Sequence, residues 1–94
     1  MNEMSIRQQI KQIDDVMQYI LLICDEAEKM ENSVYDTVAF LRQNGLRTET
    51  ADMIQQVYMG DIHHKLSSML SRMKSADYKY LEEIKDDLER ILMR

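Results

Sequence analysis

The sequence has no proline and no tryptophan, and it contains only two glycines in 94 residues. Proline and glycine weaken a helix more than any other residues, so their scarcity leaves few points at which a helix would end. Leu, Met, Glu, Gln, Lys and Arg, which favour helices, are common instead. The composition therefore predicts an all-α chain, and the length allows a single domain, residues 1–94.

Long apolar runs and a basic excess are also missing. The longest apolar run, YILLIC at residues 19–24, is far shorter than the ~20 residues of a membrane span. The N-terminus lacks the basic start and apolar block of a signal peptide, which predicts a cytoplasmic chain or one exported without a cleaved signal. A net charge of −5, with acidic neighbours beside the basic residues, predicts no nucleic-acid partner.

No catalytic, cofactor or metal site is predicted. The single Cys24 falls at an apolar position and is interpreted as a reduced core thiol. His63 and His64 lie near Asp61, but adjacent helical residues diverge by about 100°, whereas helical zinc pairs use spacings such as i, i+4. Nucleophile and base candidates do not cluster, and no glycine-rich loop could cradle phosphate. We therefore expect a protein that is not an enzyme.

A stripe of apolar residues predicts a first helix over about residues 3–43. The stripe advances in alternating steps of three and four, as in a heptad repeat, and has one missing member at Glu31. Ser5 with Gln8 is interpreted as a capping box at its start. The indifferent helix formers around Glu31 leave open a kink or a third short helix at residues 30–36. The stripe consists of Ile6, Ile10, Ile13, Met17, Ile20, Cys24, Ala27, Val34, Val38 and Leu41.

The stretch from residue 44 to residue 48 is predicted to be a turn. Gly45 can adopt a left-handed conformation after Asn44, which would let Leu46 fold back onto Leu41 in a Schellman arrangement. Thr48 or Thr50 is then expected to cap a second helix, over about residues 49–93. Because the connection is short, the two helices are predicted to form a long antiparallel hairpin.

The second helix carries its own predicted stripe. Gly60, which costs up to about 1 kcal/mol relative to alanine inside a helix, is interpreted as a point of close backbone approach by a neighbour. The methionines of the stripe are interpreted as core residues, with a Met-lined binding groove as the alternative. The stripe consists of Met59, Ile62, Leu66, Met69, Met73, Ala76, Tyr80, Ile84, Leu88 and Ile91.

A further apolar surface is expected outside the two stripes. Leu22 lies about 200° from Ile20 on a helix, so both cannot face the same neighbour. Leu70 begins a second series on the other helix. Such surfaces usually mark protein interfaces, which predicts assembly into a larger helical bundle. The alternative is a kinked three-helix core that absorbs these residues. The partner-interface candidates are Tyr19, Leu21, Leu22, Leu70 and Leu81.

The segment ADYKYLEEIKDDL, residues 76–88, carries a further pattern. Tyr78 and Glu82 form a Y-x-x-x-E spacing near the end of a chain with a midpoint turn. This combination resembles the WXG family of small type VII secretion substrates, and most of all the helical proteins associated with LXG toxins. The resemblance extends over most of the chain in architecture and over two residues in motif. The family's W-x-G turn is absent, since the turn here reads Asn44, Gly45 and Leu46.

The resemblance implies a function in protein export. Proteins of these families pair with another hairpin or with the helical domain of a toxin, and the motif serves as an export signal, which here would be Tyr78 with Glu82. It implies that this chain is a targeting partner or chaperone of a type VII secreted toxin. The alternatives are a self-associating coiled-coil adaptor unrelated to secretion and an enzyme accessory or metal-responsive regulator that uses His63 or His64.

Overall fold

The computed structural model describes residues 2–94, and in this range the protein is an all-α helical hairpin without strands. The first helix, α1, spans Glu3–Gln43. The chain returns through α2 (Thr48–Val57), α3 (His63–Arg72) and α4 (Tyr78–Leu92), which two π-helical segments join, Tyr58–Ile62 and Met73–Asp77. The predicted fold class is confirmed. No helix in residues 2–94 is long and apolar enough to cross a bilayer.

The start of α1 differs from the predicted capping box. Asn2 precedes the helix, and its Oδ1 accepts a hydrogen bond of 2.8 Å from the backbone N–H of Met4. This bond satisfies one of the amides that have no partner inside the first turn. Ser5 already lies within that turn. The prediction of Ser5 and Gln8 as the cap was wrong, because a suitable acceptor occurs three residues earlier.

The turn forms the predicted Schellman motif. Gly45 has a φ of +62°, which an L side chain would resist, and its N–H bonds the carbonyl of Arg42 at 3.2 Å. The N–H of Leu46 bonds the carbonyl of Leu41 at 2.9 Å. Two of the carbonyls that the end of α1 leaves without a helical partner, those of Leu41 and Arg42, are therefore satisfied. The predicted turn at Asn44, Gly45 and Leu46 is confirmed in its left-handed Gly45 and in its Schellman hydrogen bonds.

The start of α2 is capped without a threonine side chain. The residue before the helix is Arg47, which has a φ of +48° and makes no side-chain capping bond. Its backbone carbonyl accepts the first helical bond, 2.9 Å from the N–H of Ala51. Thr48 is already the first helical residue. The prediction of a Thr48 or Thr50 cap was wrong, since the left-handed Arg47 starts the helix earlier.

The predicted stripe of α1 is the face that the structure covers. All ten members are buried or half-buried, and Glu31, at the missing position, is half-buried on the same face. The helix is continuous through residues 30–36, so no third helix separates there. We call this face, together with the covered face of residues 48–92, the seam of the hairpin.

The seam of the return helix, residues 48–92, does not follow the predicted stripe. One line of its covered residues advances by three or four except at two places, where the step is five: from Tyr58 to His63 and from Met73 to Tyr78. Thr50, Met59, Ala76 and Asp77 lie beside this line and are also half-buried. Both steps of five coincide with the π-helical segments. The seam residues are Ala51, Gln55, Tyr58, His63, Leu66, Leu70, Met73, Tyr78, Leu81, Lys85, Leu88 and Leu92.

The π-helical segments explain why the second stripe was predicted wrongly. The N–H of His63 bonds the carbonyl of Tyr58, and the N–H of Tyr78 bonds that of Met73, each across five residues. Each segment thus adds one residue to a turn and rotates all later residues of the helix by about 100°. As a result five residues predicted in the stripe are exposed: Ile62, Met69, Tyr80, Ile84 and Ile91. The other five, Met59, Leu66, Met73, Ala76 and Leu88, are half-buried.

Gly60 lies inside the first π-helical segment rather than at a close approach. A Cβ built on Gly60 would meet no other atom within 4 Å. The predicted approach of a neighbouring backbone at this position was therefore wrong.

Contacts between Cα atoms divide the chain into two compact units. Unit 1 comprises residues 2–24 with Ser71–Arg94, and unit 2 comprises Asp25–Leu70 with the turn. The expectation of a single domain stays a prediction. The buried residues of unit 1 are Ile6, Ile13, Met17 and Ile20, and those of unit 2 are Val38, Ala51 and Tyr58.

Candidate interaction surface and the polar layer of the seam

The seam of unit 2 contains a polar layer. Glu31 of α1 and His63 of α3 meet there through Oε1 and Nδ1, and both side chains are mostly covered, with 27% and 31% exposed. The two form an ion pair when the imidazole is protonated. This contact explains how a carboxylate occupies a heptad position that is otherwise apolar along α1, because its charge has a partner across the seam.

Tyr58 and Gln55 extend this polar layer. Within residues 2–94, the hydroxyl of Tyr58 and the Oε1 of Gln55 are buried without a hydrogen-bond partner. Burial, followed by the charge of Glu31 and the influence of Tyr35, raises the pKa of Tyr58 above its usual value of 10.0. The Tyr58 ring lies 6.4 Å from the His63 ring, centroid to centroid. The layer is therefore polar but incompletely paired.

The two histidines do not converge on one point. The rings of His63 and His64 are edge to face at 5.7 Å, and His64 is exposed while His63 faces the seam. Within residues 2–94, no three His, Cys, Asp or Glu side chains lie together as metal ligands would. Cys24, also interpreted from its position, is half-buried with a free thiol.

The seam has two distinct sides in unit 2. We call a residue that directly precedes a seam residue leading, and one that directly follows it trailing. Trailing residues contact each other across the seam: the Tyr35 hydroxyl donates to Met59 Sδ at 2.7 Å, and Arg42 pairs with Asp52 at 2.5 Å. In an antiparallel helix pair, trailing residues of both helices lie on one side of the seam and leading residues on the other.

Most of the exposed large hydrophobic residues are leading residues. In unit 1 they are Val16, Tyr19, Ile23, Tyr80, Ile84 and Ile91. In unit 2 they are Met30, Phe40, Ile54, Val57, Ile62 and Met69. The other exposed large hydrophobic residues, which lie elsewhere, are Met4, Leu22, Tyr35, Leu46, Met53 and Met93. We call the leading side of each unit its apolar side and the trailing side its polar side, although the trailing side of unit 2 also holds a groove of mainly apolar atoms. That groove is lined by Val34, Tyr35, Val38, Ala39, Arg42, Gln43, Gln55 and Met59.

Two grooves mark the apolar sides. In unit 1, Gln9, Gln12, Asp15, Val16 and Tyr19 border a groove whose floor is formed by Ile13 and by Leu81 of α4. In unit 2, a shallow depression runs along the return helix and is lined by Thr50, Met53, Ile54, Val57, Tyr58 and Ile62. Each is lined mainly by apolar atoms, as a surface that receives another helix is.

The predicted interface residues fall in different places. Tyr19 is on the apolar side of unit 1, and Leu22, although exposed, is neither leading nor trailing. Leu21 is a half-buried trailing residue, while Leu70 and Leu81 are half-buried seam residues. The sequence interpretation missed Val16, Ile23, Ile54 and Val57 altogether. The signal was present as a second apolar stripe one position before the first, from Val16 through Tyr19 to Ile23.

The export-motif candidates are only partly displayed. Glu82 is exposed, but Tyr78 is a half-buried seam residue at the first position of α4. The nearby Tyr80, predicted in the core stripe, has 60% of its surface exposed. Tyr78 and Glu82 are one helical turn apart, so an export signal read from both would include a residue that also packs in the seam.

A single ion pair crosses the seam of unit 1 in residues 2–94. Lys85 Nζ of α4 donates to Asp14 Oδ1 of α1 at 2.7 Å. The hydrogen bond to Asp14 raises the pKa of Lys85 above its usual value, outweighing the opposing effect of burial. The lysine stem fills a seam position while its ammonium reaches the trailing side.

Comparison of the chain with protein-family models, with characterised proteins and with solved structures gives no match.

Proposed function

We propose that this chain is a non-enzymatic binding protein whose apolar sides hold another helical protein. The observation that carries the proposal is the second apolar stripe one position ahead of the seam, which runs over residues 16–23 of α1 and recurs along the return helix at residues 54–69 and 80–91. A helix with two apolar stripes has two neighbours to satisfy, and the hairpin supplies only one. Another helical protein laid against the leading residues would bury the second stripe and form a larger bundle.

The more specific proposal is that the bound protein is a type VII secreted toxin of the LXG class, which this chain would accompany as a targeting partner or chaperone. Support comes from the architecture and from the Y-x-x-x-E spacing of Tyr78 and Glu82. A chaperone of this kind would shield apolar helices of the toxin until export, since exposed apolar patches promote aggregation.

The test is co-expression with an LXG toxin domain followed by co-purification. Ile84→Glu and Val57→Glu each place a charge on an apolar side, where it would be buried without a partner by docking. We expect each variant to reduce recovered complex at least tenfold while far-ultraviolet circular dichroism stays that of the wild type. Asp86→Glu, on the polar side of α4, is the matched control and should leave recovery unchanged.

Two outcomes would contradict the proposal at different levels. Equal recovery with the wild type and both glutamate variants would show that the apolar sides do not bind the toxin. A purified chain that forms only homo-oligomers, dissociated by Ile84→Glu, would favour the self-associating adaptor instead.

A further inference from the structure

The return helix of unit 2 has two alternative faces that could pack on α1. Beyond the π-helical segment Tyr58–Ile62, the structure covers one of them, which consists of His63, Leu66 and Leu70. A regular α-helix continued from Tyr58 would cover the other, which consists of Ile62, Leu66 and Met69 and follows Tyr58 in steps of three or four. The two faces differ by the one residue that the wide turn absorbs.

The face that the structure leaves uncovered is the more apolar of the two. It has Ile62 at the level where the covered face has His63, while Met69 and Leu70 at the next level are both apolar. Hydrophobicity therefore favours a regular helix with Ile62 in the seam. Because π-helical turns are also rare, the structure combines the less common turn with the more polar face. An interaction across the seam has to compensate for both.

The carboxylate of Glu31 provides that interaction. It lies half-buried on α1, whose other seam residues in unit 2 are apolar, and Nδ1 of His63 is its partner. On a regular helix His63 would turn out of the seam by about 100°, and Ile62 would lie near a half-buried carboxylate without a partner. A polar residue in an otherwise apolar seam determines the register of paired helices for the same reason.

We propose that Glu31 is a register-determining residue, which holds the return helix of unit 2 on its covered face and thereby keeps Ile62 and Met69 exposed. Without this carboxylate the wide turn would be lost or displaced along the helix, and Ile62 and Met69 would turn into the seam. The consequence for binding rests on the proposed function, because both residues belong to the apolar side of unit 2. The register itself is a property of the chain alone.

The reactivity of single thiols reports the register in the full chain. Cys24→Ser provides the background, and Met69→Cys or Leu70→Cys places one thiol on each alternative face. Met69 has 60% of its surface exposed and Leu70 is half-buried, so with Glu31 present the thiol at 69 should react at least about threefold faster than the thiol at 70. When Glu31→Leu is added, the order should reverse while circular dichroism stays helical.

Two matched controls separate the register from other effects of the substitution. Glu28→Leu removes an exposed carboxylate of α1 with the same change in net charge and should leave the order unchanged. Deletion of Gly60 removes the extra residue of the π-helical segment, so Glu31→Leu in that background should not reverse the order. An unchanged order with Glu31→Leu, faster reaction of both thiols, or reversal in the deletion variant as well would each overturn the inference.

Co-purification with the toxin domain distinguishes this inference from the proposed function. If Glu31→Leu reverses the order of the thiols and lowers the recovery of complex, both stand. Reversal with unchanged recovery would leave the register inference in place and would contradict binding through the apolar side of unit 2. An unchanged order would overturn the register inference alone, because the order is measured without any bound protein.

Discussion

Units 1 and 2 share one geometry but fill their seams differently. In unit 1 the covered residues of α1 are mostly isoleucine and methionine, and the one charged seam residue of the return helix, Lys85, reaches out to Asp14. In unit 2 the seam holds Glu31 against His63, and the hydroxyl of Tyr58 has no hydrogen-bond partner among residues 2–94. Both units therefore bring two helices together along one covered face, while residue identity determines what each contact contributes to stability.

The difference predicts which contacts can be replaced. At an apolar contact, truncation lowers the free energy of unfolding more when more volume is removed. At a buried polar contact, replacing one partner lowers the free energy of unfolding more than replacing both with apolar residues. Unit 1 should be sensitive to truncation of its apolar side chains, and unit 2 should be sensitive to unbalanced changes in its polar layer.

The largest effect is expected from Ile13→Ala in unit 1. Ile13 has 5% of its surface exposed, so truncation would remove buried apolar contacts from the seam, at a cost of about 2–4 kcal/mol of unfolding free energy. Urea unfolding followed by circular dichroism measures this. Leu66→Ala in unit 2, at a half-buried seam position, should cost less, and an equal or greater loss there would contradict the contrast between the units.

Next in size is Glu31→Ala in unit 2. This change leaves the Nδ1 of His63 half-buried without its partner and should cost about 1–3 kcal/mol. Glu31→Leu combined with His63→Leu should instead be neutral or stabilising, since a buried pair replaced by apolar residues often is. A double variant as unstable as Glu31→Ala would show that the pair itself supplies net stability.

A somewhat smaller effect is expected from Gly45→Val at the turn of unit 2. The φ of +62° is costly for a branched residue, and the expected loss is about 1–2 kcal/mol. Because no atom lies within 4 Å of a Cβ at Gly45, the loss would come from backbone strain alone. Gly60→Ala, where φ is negative and space is also open, is the control and should not destabilise the protein comparably.

The smallest effect concerns the Asp14–Lys85 pair of unit 1 and its pH dependence. The pKa of Lys85 is raised in the folded state above its ordinary value of 10.5. A raised pKa gives stability that is present below the unfolded pKa and is lost as the pH rises through the folded one. The wild type should therefore lose slightly more stability than Lys85→Met as the pH rises through 10.5 and the higher folded pKa of Lys85. Lys79→Met, an exposed control, should behave as the wild type.

Sequence reasoning succeeded where one stripe dominated. On α1 the covered face carries isoleucine, methionine and valine at regular steps, so periodicity alone located it, including the polar position at Glu31. The Gly45 turn was equally readable, because glycine alone among the nearby residues adopts a positive φ without strain.

On the return helix the same reasoning predicted the wrong covered face, and the cause is physical. Two neighbouring stripes are apolar there, and hydrophobicity favours Ile84 over Lys85 and Ile62 over His63 as seam residues. The structure uses Lys85 and His63, since Asp14 and Glu31 across the seam pair with them. A single-helix pattern carries no information about such partners, and it assumes a constant turn that the two π-helical segments break.

The π-helical segments have a consequence for how such a chain can change over generations. If one residue were inserted into a regular helix, every later side chain would rotate by about 100° away from its partner, and the seam beyond that point would be lost. When the extra residue is absorbed in one wide turn, the side chains beyond it keep the neighbours they had before. A one-residue deletion within Tyr58–Ile62 or Met73–Asp77 would therefore convert the wide turn to a regular one and keep the later seam residues in place. A deletion elsewhere in the return helix would shift all later seam residues.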